Sequence, residues 1–238
     1  MDSAPNKIRS VIRNAWNKLI QQSSLLLEGS ASNLSGTDIK FEVCDEGLFV
    51  VKTASLIKIT RMPRQHNNNS KRINVYIRGT IYFTVNDDNL ILLHKYATEI
   101  AYIDTRIQSS GVYSNIEGLH YDMISEPQLA HPHFHVQRKP GLLNEPIENE
   151  TPHKLDNPDK TLHISNIRIS TPQVDFFSIL PIILADHIVS ENNGNKEKFE
   201  ELLKYSVANN PFKVDKALSI FSTCLEEQNL NVANWYTS

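Results

Sequence analysis

The N-terminal region places apolar side chains at the spacing of an amphipathic helix. Residues three or four positions apart share one face of a helix, and polar residues fill the other positions. A stretch rich in glycine, serine and asparagine, Gly29 to Gly36, ends the pattern. We therefore predict an N-terminal helix that packs on the rest of the protein. Its apolar positions are Ile8, Val11, Ile12, Ala15, Trp16, Leu19, Ile20, Leu26 and Leu27.

The apolar period changes from 3.6 to 2 near Ile39, which is typical of strands with one buried face. Residues 39–51 are predicted to form a hairpin, and the clearest alternation runs from Arg72 to Val85. Turn residues join that strand to a second long one, Leu90 to Asp104, so we expect an extended antiparallel ribbon. The pattern predicts an antiparallel sheet of about five to seven strands between residues 39 and 138.

The rest of the chain combines an irregular segment with a helical part. Four prolines and no periodicity mark residues 139–160 as a Pro-rich irregular connection. Pro181 should kink or split the most apolar helix. The predicted elements are a short strand at 161–169, an apolar helix through 176–184, and amphipathic helices at 196–207 and 214–228. The fold class is therefore α+β, with residues 1–138 as a helix plus sheet and residues 161–238 as a short strand and helical subdomain packed on the same core.

Composition and charge set the broad class. The chain has 238 residues, of which 40% are hydrophobic and 21% are charged, and its net charge is −3. These values are typical of a folded domain and argue against a protein that binds polyanions with its whole surface. The two cysteines, Cys44 and Cys224, do not suggest a disulfide framework. The N-terminus lacks a signal pattern and the most apolar stretch, Phe176 to Val189, is too short to span a bilayer, so we expect a cytoplasmic protein with no membrane contact.

Histidines alternate along one short segment, at His131, His133 and His135. In a strand these three side chains share one face. Upstream, His120 and Asp122 alternate with apolar residues, and a hairpin with His120 opposite His135 and Asp122 opposite His133 would gather them on one patch of sheet. Imidazole and carboxylate are ligands of zinc, iron, nickel and manganese, so His120, Asp122, His133 and His135 are a candidate site for a divalent transition metal. The alternative is a solvated polar face.

The same segment carries a resemblance to a known family. The run His131-Pro132-His133-Phe134-His135-Val136 resembles the signature of the histidine-triad nucleotide hydrolases and transferases. The resemblance implies that His133 is a catalytic nucleophile that attacks a nucleotide α-phosphate, with His131 and His135 orienting it and stabilising charge on the phosphate.

Positive charge is concentrated between Lys58 and Asn86, where no acidic residue occurs. Two strands joined by a basic polar loop can follow a phosphate backbone, which indicates contact with RNA or DNA. The alternative is a solvated loop whose charges pair with the acidic segment 140–159. The candidate nucleic-acid-binding residues are Arg61, Arg64, Lys71, Arg72 and Arg78.

Three functions follow from these features. The first, which we favour, is a non-catalytic binding or assembly component of an intracellular system, taken to be bacterial and of a defence or toxin type, in contact with a partner protein or nucleic acid. The second is a metal-dependent phosphodiester hydrolase or nuclease that uses the histidine and aspartate cluster. The third is a histidine-triad-like nucleotide hydrolase. The sequence carries no signature of P-loop, dinucleotide-binding, serine-hydrolase or CxxC redox proteins.

Overall fold

The structure is a computed structural model, and it describes most of the chain. The described residues are 4–44, 47–65, 68–108, 110–123, 134–139, 141–156, 168–170, 174–188 and 195–214. Within them the elements follow in this order: α1 (Ala4–Leu27), β1 (Asn33–Ser35), β2 (Ile39–Val43), β3 (Phe49–Thr53), β4 (Ile57–Gln65), β5 (Asn68–Val85), β6 (Ile91–Ile107), β7 (Tyr113–Met123), β8 (Phe134–Arg138), α2 (Asn144–Glu150), β9 (Arg168–Ser170), α3 (Phe176–His187), α4 (Lys196–Asn209) and β10 (Lys213–Val214).

The ten described strands form one sheet in the order β1-β4-β5-β6-β7-β8-β9. The long strand β5 pairs with β4 along its first half and with β3 along its second half, and β2 lies outside β3. All of these pairs are antiparallel, whereas β10 runs parallel to β6. The predicted α+β class, the antiparallel sheet and the N-terminal helix are thus confirmed, as is the ribbon formed by β5 and β6.

One face of the sheet is covered by the helices α1, α3 and α4. Trp16 of α1 packs edge-on against Phe176 and Phe177 of α3, with ring centroids 5.3 and 4.8 Å apart. Gly79 of β5 allows Phe176 to lie close to the sheet, because a Cβ atom at position 79 would lie 2.5 Å from the Cβ of Phe176. The alternation predicted for β5 is confirmed on this core face, where the buried positions are Ile73, Val75, Ile77, Ile81 and Phe83.

The opposite face, called here the second face, is partly covered as well. Leu143, Ile147 and Leu155 pack there in a smaller apolar cluster that includes Tyr76 and Ala101 of the sheet. These apolar residues come from segment 141–156, so the prediction that residues 139–160 form only an irregular connection is wrong for its middle part, where α2 forms. Sequence periodicity missed α2 because the helix is only seven residues long.

The C-terminal third follows the prediction in part. Asp175 caps α3 by accepting hydrogen bonds from the amides of Phe177 and Ser178, and α3 continues through Pro181 as one helix. The helix predicted at 196–207 is α4, while the helix predicted at 214–228 lies outside the described residues apart from Val214. None of the helices within the described ranges is both long and apolar enough to cross a membrane.

Candidate functional sites

Five polar side chains form a line across four neighbouring strands on the second face, and we call this line the polar strip. Arg78 of β5 is paired with Glu99 of β6, which is paired in turn with His120 of β7. Two residues further along β7, Asp122 is paired with His135 of β8. Because residues two apart in a strand project from the same face, the sheet itself brings these side chains together.

Distances within the polar strip define a chain of electrostatic contacts. Arg78 Nε donates to Glu99 Oε2 at 2.6 Å, and the other oxygen of Glu99 lies 3.8 Å from His120 Nδ1, which is too long for a hydrogen bond. His120 Nε2 lies 3.0 Å from Asp122 Oδ2, and His135 Nε2 lies 2.8 Å from Asp122 Oδ1. A carboxylate only accepts hydrogen bonds, so both imidazoles present an Nε2–H group to Asp122.

Burial differs widely along the polar strip, and His135 on β8 is its most buried side chain. The side chain of Arg78 is 47% exposed, that of Asp122 is 27% exposed and that of His135 is only 2% exposed. Burial raises the pKa of Asp122, but the hydrogen bonds from His120 and His135 outweigh it and hold the pKa of this carboxyl well below its ordinary value of 3.8. Asp122 is therefore a carboxylate that orients two imidazoles on a half-buried surface.

The register of the β7–β8 hairpin differs from the predicted one by two residues. His120 lies opposite Gln137, and Asp122 lies opposite His135. A shift of two residues leaves every side chain on its predicted face, which is why alternation along the sequence cannot distinguish the two registers. His131 and His133 lie outside the described residues, so the roles predicted for His133 as nucleophile and as metal ligand stay predictions.

The metal-binding hypothesis is met only in part by the described residues. Three of the four predicted ligands, His120, Asp122 and His135, do come together. In the described ranges, however, no group of three or more histidine, cysteine or acidic side chains is arranged to hold a metal ion. A metal at this position would therefore need a ligand from outside the described residues, such as the predicted His133, and we derive no chemical step through a metal.

The predicted basic residues do not form one surface. Arg78 belongs to the polar strip, where Glu99 neutralises it. Lys58 forms an ion pair with Glu150 of α2 at 3.1 Å, which matches the expected alternative of pairing with the acidic segment. Lys71 lies on β5, and its side chain lies outside the described part of the structure.

Three of the predicted arginines remain together at the β4–β5 end of the sheet, and we call Arg61, Arg64 and Arg72 the arginine cluster. A bulge in β4 gives Arg61 a φ of 58° and turns its exposed side chain out of the regular alternation. Arg72 Nη1 donates to the carbonyl of Arg61 at 3.3 Å, and Arg72 is paired with the residue before Arg64. Within the described residues, none of the three guanidinium groups forms an ion pair.

A fourth arginine, which sequence analysis did not select, lies at the same end of the sheet. Arg106 donates hydrogen bonds to both carboxylate oxygens of Asp104, and these bonds hold the pKa of Asp104 below its ordinary value, with the charge of Arg64 acting in the same direction. Asp104 in turn lies opposite Ile73 in the β5–β6 ribbon. The alternation along β6 did not indicate that Arg106 would lie at the end of the sheet where β4 ends and β5 begins.

Comparisons with protein-family models, with curated proteins and with solved structures gave no match for this chain.

Proposed function

We propose that this protein is a non-catalytic binding component that contacts the phosphate backbone of RNA or DNA through the arginine cluster. The observation that carries the proposal is the grouping of Arg61, Arg64 and Arg72 at one end of the sheet, where none of them forms an ion pair within the described residues.

The chemistry of the cluster suits phosphate. Guanidinium groups donate paired hydrogen bonds that match phosphate oxygens, and they keep their charge at any physiological pH. A two-stranded hairpin that carries such groups on its outer edge can lie along a nucleic-acid strand or enter a groove. Contacts of this kind give affinity that depends on salt and little on base sequence.

Binding is tested with fluorescein-labelled single-stranded RNA, single-stranded DNA and duplex DNA, by fluorescence anisotropy over a series of salt concentrations. The test variant carries Arg64→Glu together with Arg72→Glu. We expect its affinity to fall at least tenfold. The slope of log affinity against log salt should decrease by about 0.7 to 0.9 for each phosphate that the variant no longer neutralises.

A control is Arg138→Gln on β8, which removes one positive charge, whereas the test variant reverses two. Arg138 is also exposed, but its Nη2 lies 2.5 Å from Glu117 Oε2, so its charge is already neutralised. The control variant should bind like the wild type. Wild-type protein that binds none of the three probes, or binding that both variants retain in full, would rule out the arginine cluster as a nucleic-acid interface.

A second candidate function, hydrolysis of phosphodiesters, is favoured by the contacts of Asp122. A carboxylate that holds two imidazoles by their Nε2–H groups is a common arrangement for general acid–base catalysis, because it fixes the tautomer and orientation of each ring. An attacking water requires proton transfer in this reaction, for which His120, the more exposed of the two imidazoles, offers a group.

This second candidate is tested with bis(p-nitrophenyl) phosphate and with labelled oligonucleotides, without added metal and with Mn²⁺ or Zn²⁺. Activity of the wild type should fall at least a hundredfold in Asp122→Asn, which keeps the shape of the side chain, and should persist in Asp88→Asn, an exposed position in the β5–β6 turn. Elemental analysis of both proteins shows whether a bound metal accompanies the activity. Lack of cleavage under all conditions would remove this candidate.

A further inference from the structure

The outer edge of β2 carries backbone groups that no strand among the described residues uses. Toward β3, the amide of Ala54 donates to the carbonyl of Asp38 and the amide of Cys44 donates to the carbonyl of Leu48, both at 2.8 Å. Peptide groups alternate in direction along an antiparallel strand, so the peptide groups of every second residue from Asp38 to Cys44 point toward β3. The N–H and C=O groups of Ile39, Phe41 and Val43 therefore point away from the sheet.

The side chains along this edge are apolar on the core face and only partly covered. Val43 is 59% exposed, which is among the highest values for large apolar residues in the described residues, and Ile39 and Phe41 are half-buried. Phe41 packs against Phe49 and Phe83, with ring centroids 6.0 and 5.8 Å away. The apolar face of the sheet thus continues to β2, whose outer edge is exposed to water among the described residues.

On the second face, the edge strand carries one positive and one negative charge, Lys40 and Glu42, beside a further positive charge on β3. Lys40 lies directly opposite Lys52 of β3, so two like charges face each other. Glu42 reaches across to Lys52, with Oε1 2.6 Å from Nζ, and leaves Lys40 without an acidic partner among the described residues. A strand added outside β2 would compensate Lys40 if it carried an acidic residue at the matching position.

We propose that β2 pairs with β2 of a second copy of this chain, antiparallel and centred on Phe41. This is the register in which all three outward-facing residues find partners: Phe41 faces Phe41 of the second copy, and Ile39 faces Val43 of the second copy. The same register sets Lys40 opposite Glu42 of the second copy, and the two-fold symmetry repeats this contact. Each of these Lys–Glu pairs is a non-hydrogen-bonded pair, in which side chains of neighbouring strands approach most closely.

The charge pattern gives a direct test by sedimentation velocity, from about 10 μM to about 1 mM because five residues a side make a small interface. Lys40→Glu places two negative charges on this face of β2, and Glu42→Lys places two positive charges there. Each single variant repels its own copy and should be monomeric where the wild type is dimeric. An equimolar mixture of the two should form a heterodimer, and the double variant Lys40→Glu with Glu42→Lys should recover the homodimer.

Recovery in the mixture separates self-pairing from a loss of folding, and circular dichroism of each variant checks the fold directly.

A second measurement tests the register. Asp38 faces Cys44 of the second copy in the proposed pairing, and Cys44 is exposed. Asp38→Cys should therefore form a disulfide-linked dimer with oxidised glutathione, whereas Asp38→Cys combined with Cys44→Ser should not.

Three results would overturn the proposal. The first is a wild type that stays monomeric at every concentration, in which case Lys40 serves to block edge pairing, as lysines on edge strands often do. The second is a dimer that neither single charge reversal weakens, because it must use another surface. The third is a dimer that Asp38→Cys fails to cross-link, which would exclude the register centred on Phe41.

Discussion

Replacement of Asp122 by asparagine is the most informative single change in the polar strip. The two side chains have the same shape, but asparagine offers one acceptor oxygen and one NH₂ donor in place of two acceptor oxygens. Asp122 Oδ2 accepts a hydrogen bond from His120 Nε2 at 3.0 Å, and Asp122 Oδ1 lies 2.8 Å from His135 Nε2 in an ion-pair contact. In the variant, the Nε2–H group of one imidazole must therefore face the NH₂ group of the asparagine, which is also a donor, unless that imidazole carries its proton on Nδ1.

The structure indicates which imidazole would change. His120 Nδ1 lies 3.8 Å from Glu99 Oε1, so a proton moved to that nitrogen would point toward a carboxylate. The variant then keeps one hydrogen bond between residue 122 and each imidazole: the asparagine oxygen accepts from His135, and its NH₂ group donates to His120 Nε2. Neither acceptor carries a charge. A hydrogen bond to a charged group contributes about 1.5–3 kcal/mol, roughly twice a neutral one, so we expect Asp122→Asn to lower the free energy of unfolding by about 1.5–3 kcal/mol at pH 7.

The effect should depend on pH in a defined direction. Because its contacts hold the pKa of Asp122 below the ordinary value of 3.8, the ionised group stabilises the folded state fully above pH 3.8, and this contribution decreases as the pH falls below that value toward the lower pKa of the folded state. Urea unfolding of wild type and variant at pH 7, 5 and 3 measures the difference. It should be smaller at pH 3 than at pH 5.

The exposed Asp88 supplies the control for this series, since Asp88→Asn should change the free energy of unfolding by less than about 0.5 kcal/mol at each pH. If Asp122→Asn also changes the free energy of unfolding by less than about 0.5 kcal/mol at pH 7, the two imidazole contacts do not stabilise the fold. A difference that increases toward pH 3 would contradict the lowered pKa of Asp122.

Three further predictions concern packing, capping and titration. Gly79→Ala should lower the free energy of unfolding by about 1–3 kcal/mol in urea, because its Cβ would meet the Cβ of Phe176 at 2.5 Å and α3 must move. Asp175→Ala should cost about 1–2 kcal/mol in the same assay, because two amides in the first turn of α3 lose their acceptor, whereas Asp175→Asn should recover part of it. Burial and the charge of Lys58 lower the pKa of His153 below 6.5, so an NMR titration should give a midpoint below that value, and Lys58→Met should raise it.

The strands could be predicted from the sequence because one apolar pattern decided each of them. In β5, the alternation of Ile73, Val75 and Ile77 with polar residues predicted both the strand and its buried face. The same alternation underestimated the second face, where Asn74 and Tyr76 are also buried. Burial of that face depends on segment 141–156, which follows β5 by more than fifty residues and whose packing no local pattern reveals.

The candidate site could be predicted only to the level of its strand faces. Alternation placed His120, Asp122 and His135 on one face, and they do lie together there. Alternation could not supply the register of β7 and β8, which depends on the loop between them, nor the contribution of strands β5 and β6. Glu99 and Arg78 joined the site only because β6 lies between β5 and β7 in the sheet.

The arrangement of the sheet keeps the two candidate sites apart. Arg72 and Arg78 are both on β5 and project from the same face, about 20 Å apart at the usual rise of a strand. Between them lies Tyr76, covered by Leu143 and Ile147 of segment 141–156. A ligand that touches both sites must therefore pass over this segment, and a charge reversal in the arginine cluster should not disturb the contacts of Asp122. Loss of nucleic-acid binding and loss of hydrolysis are consequently independent outcomes, so each proposed function can fail without deciding the other.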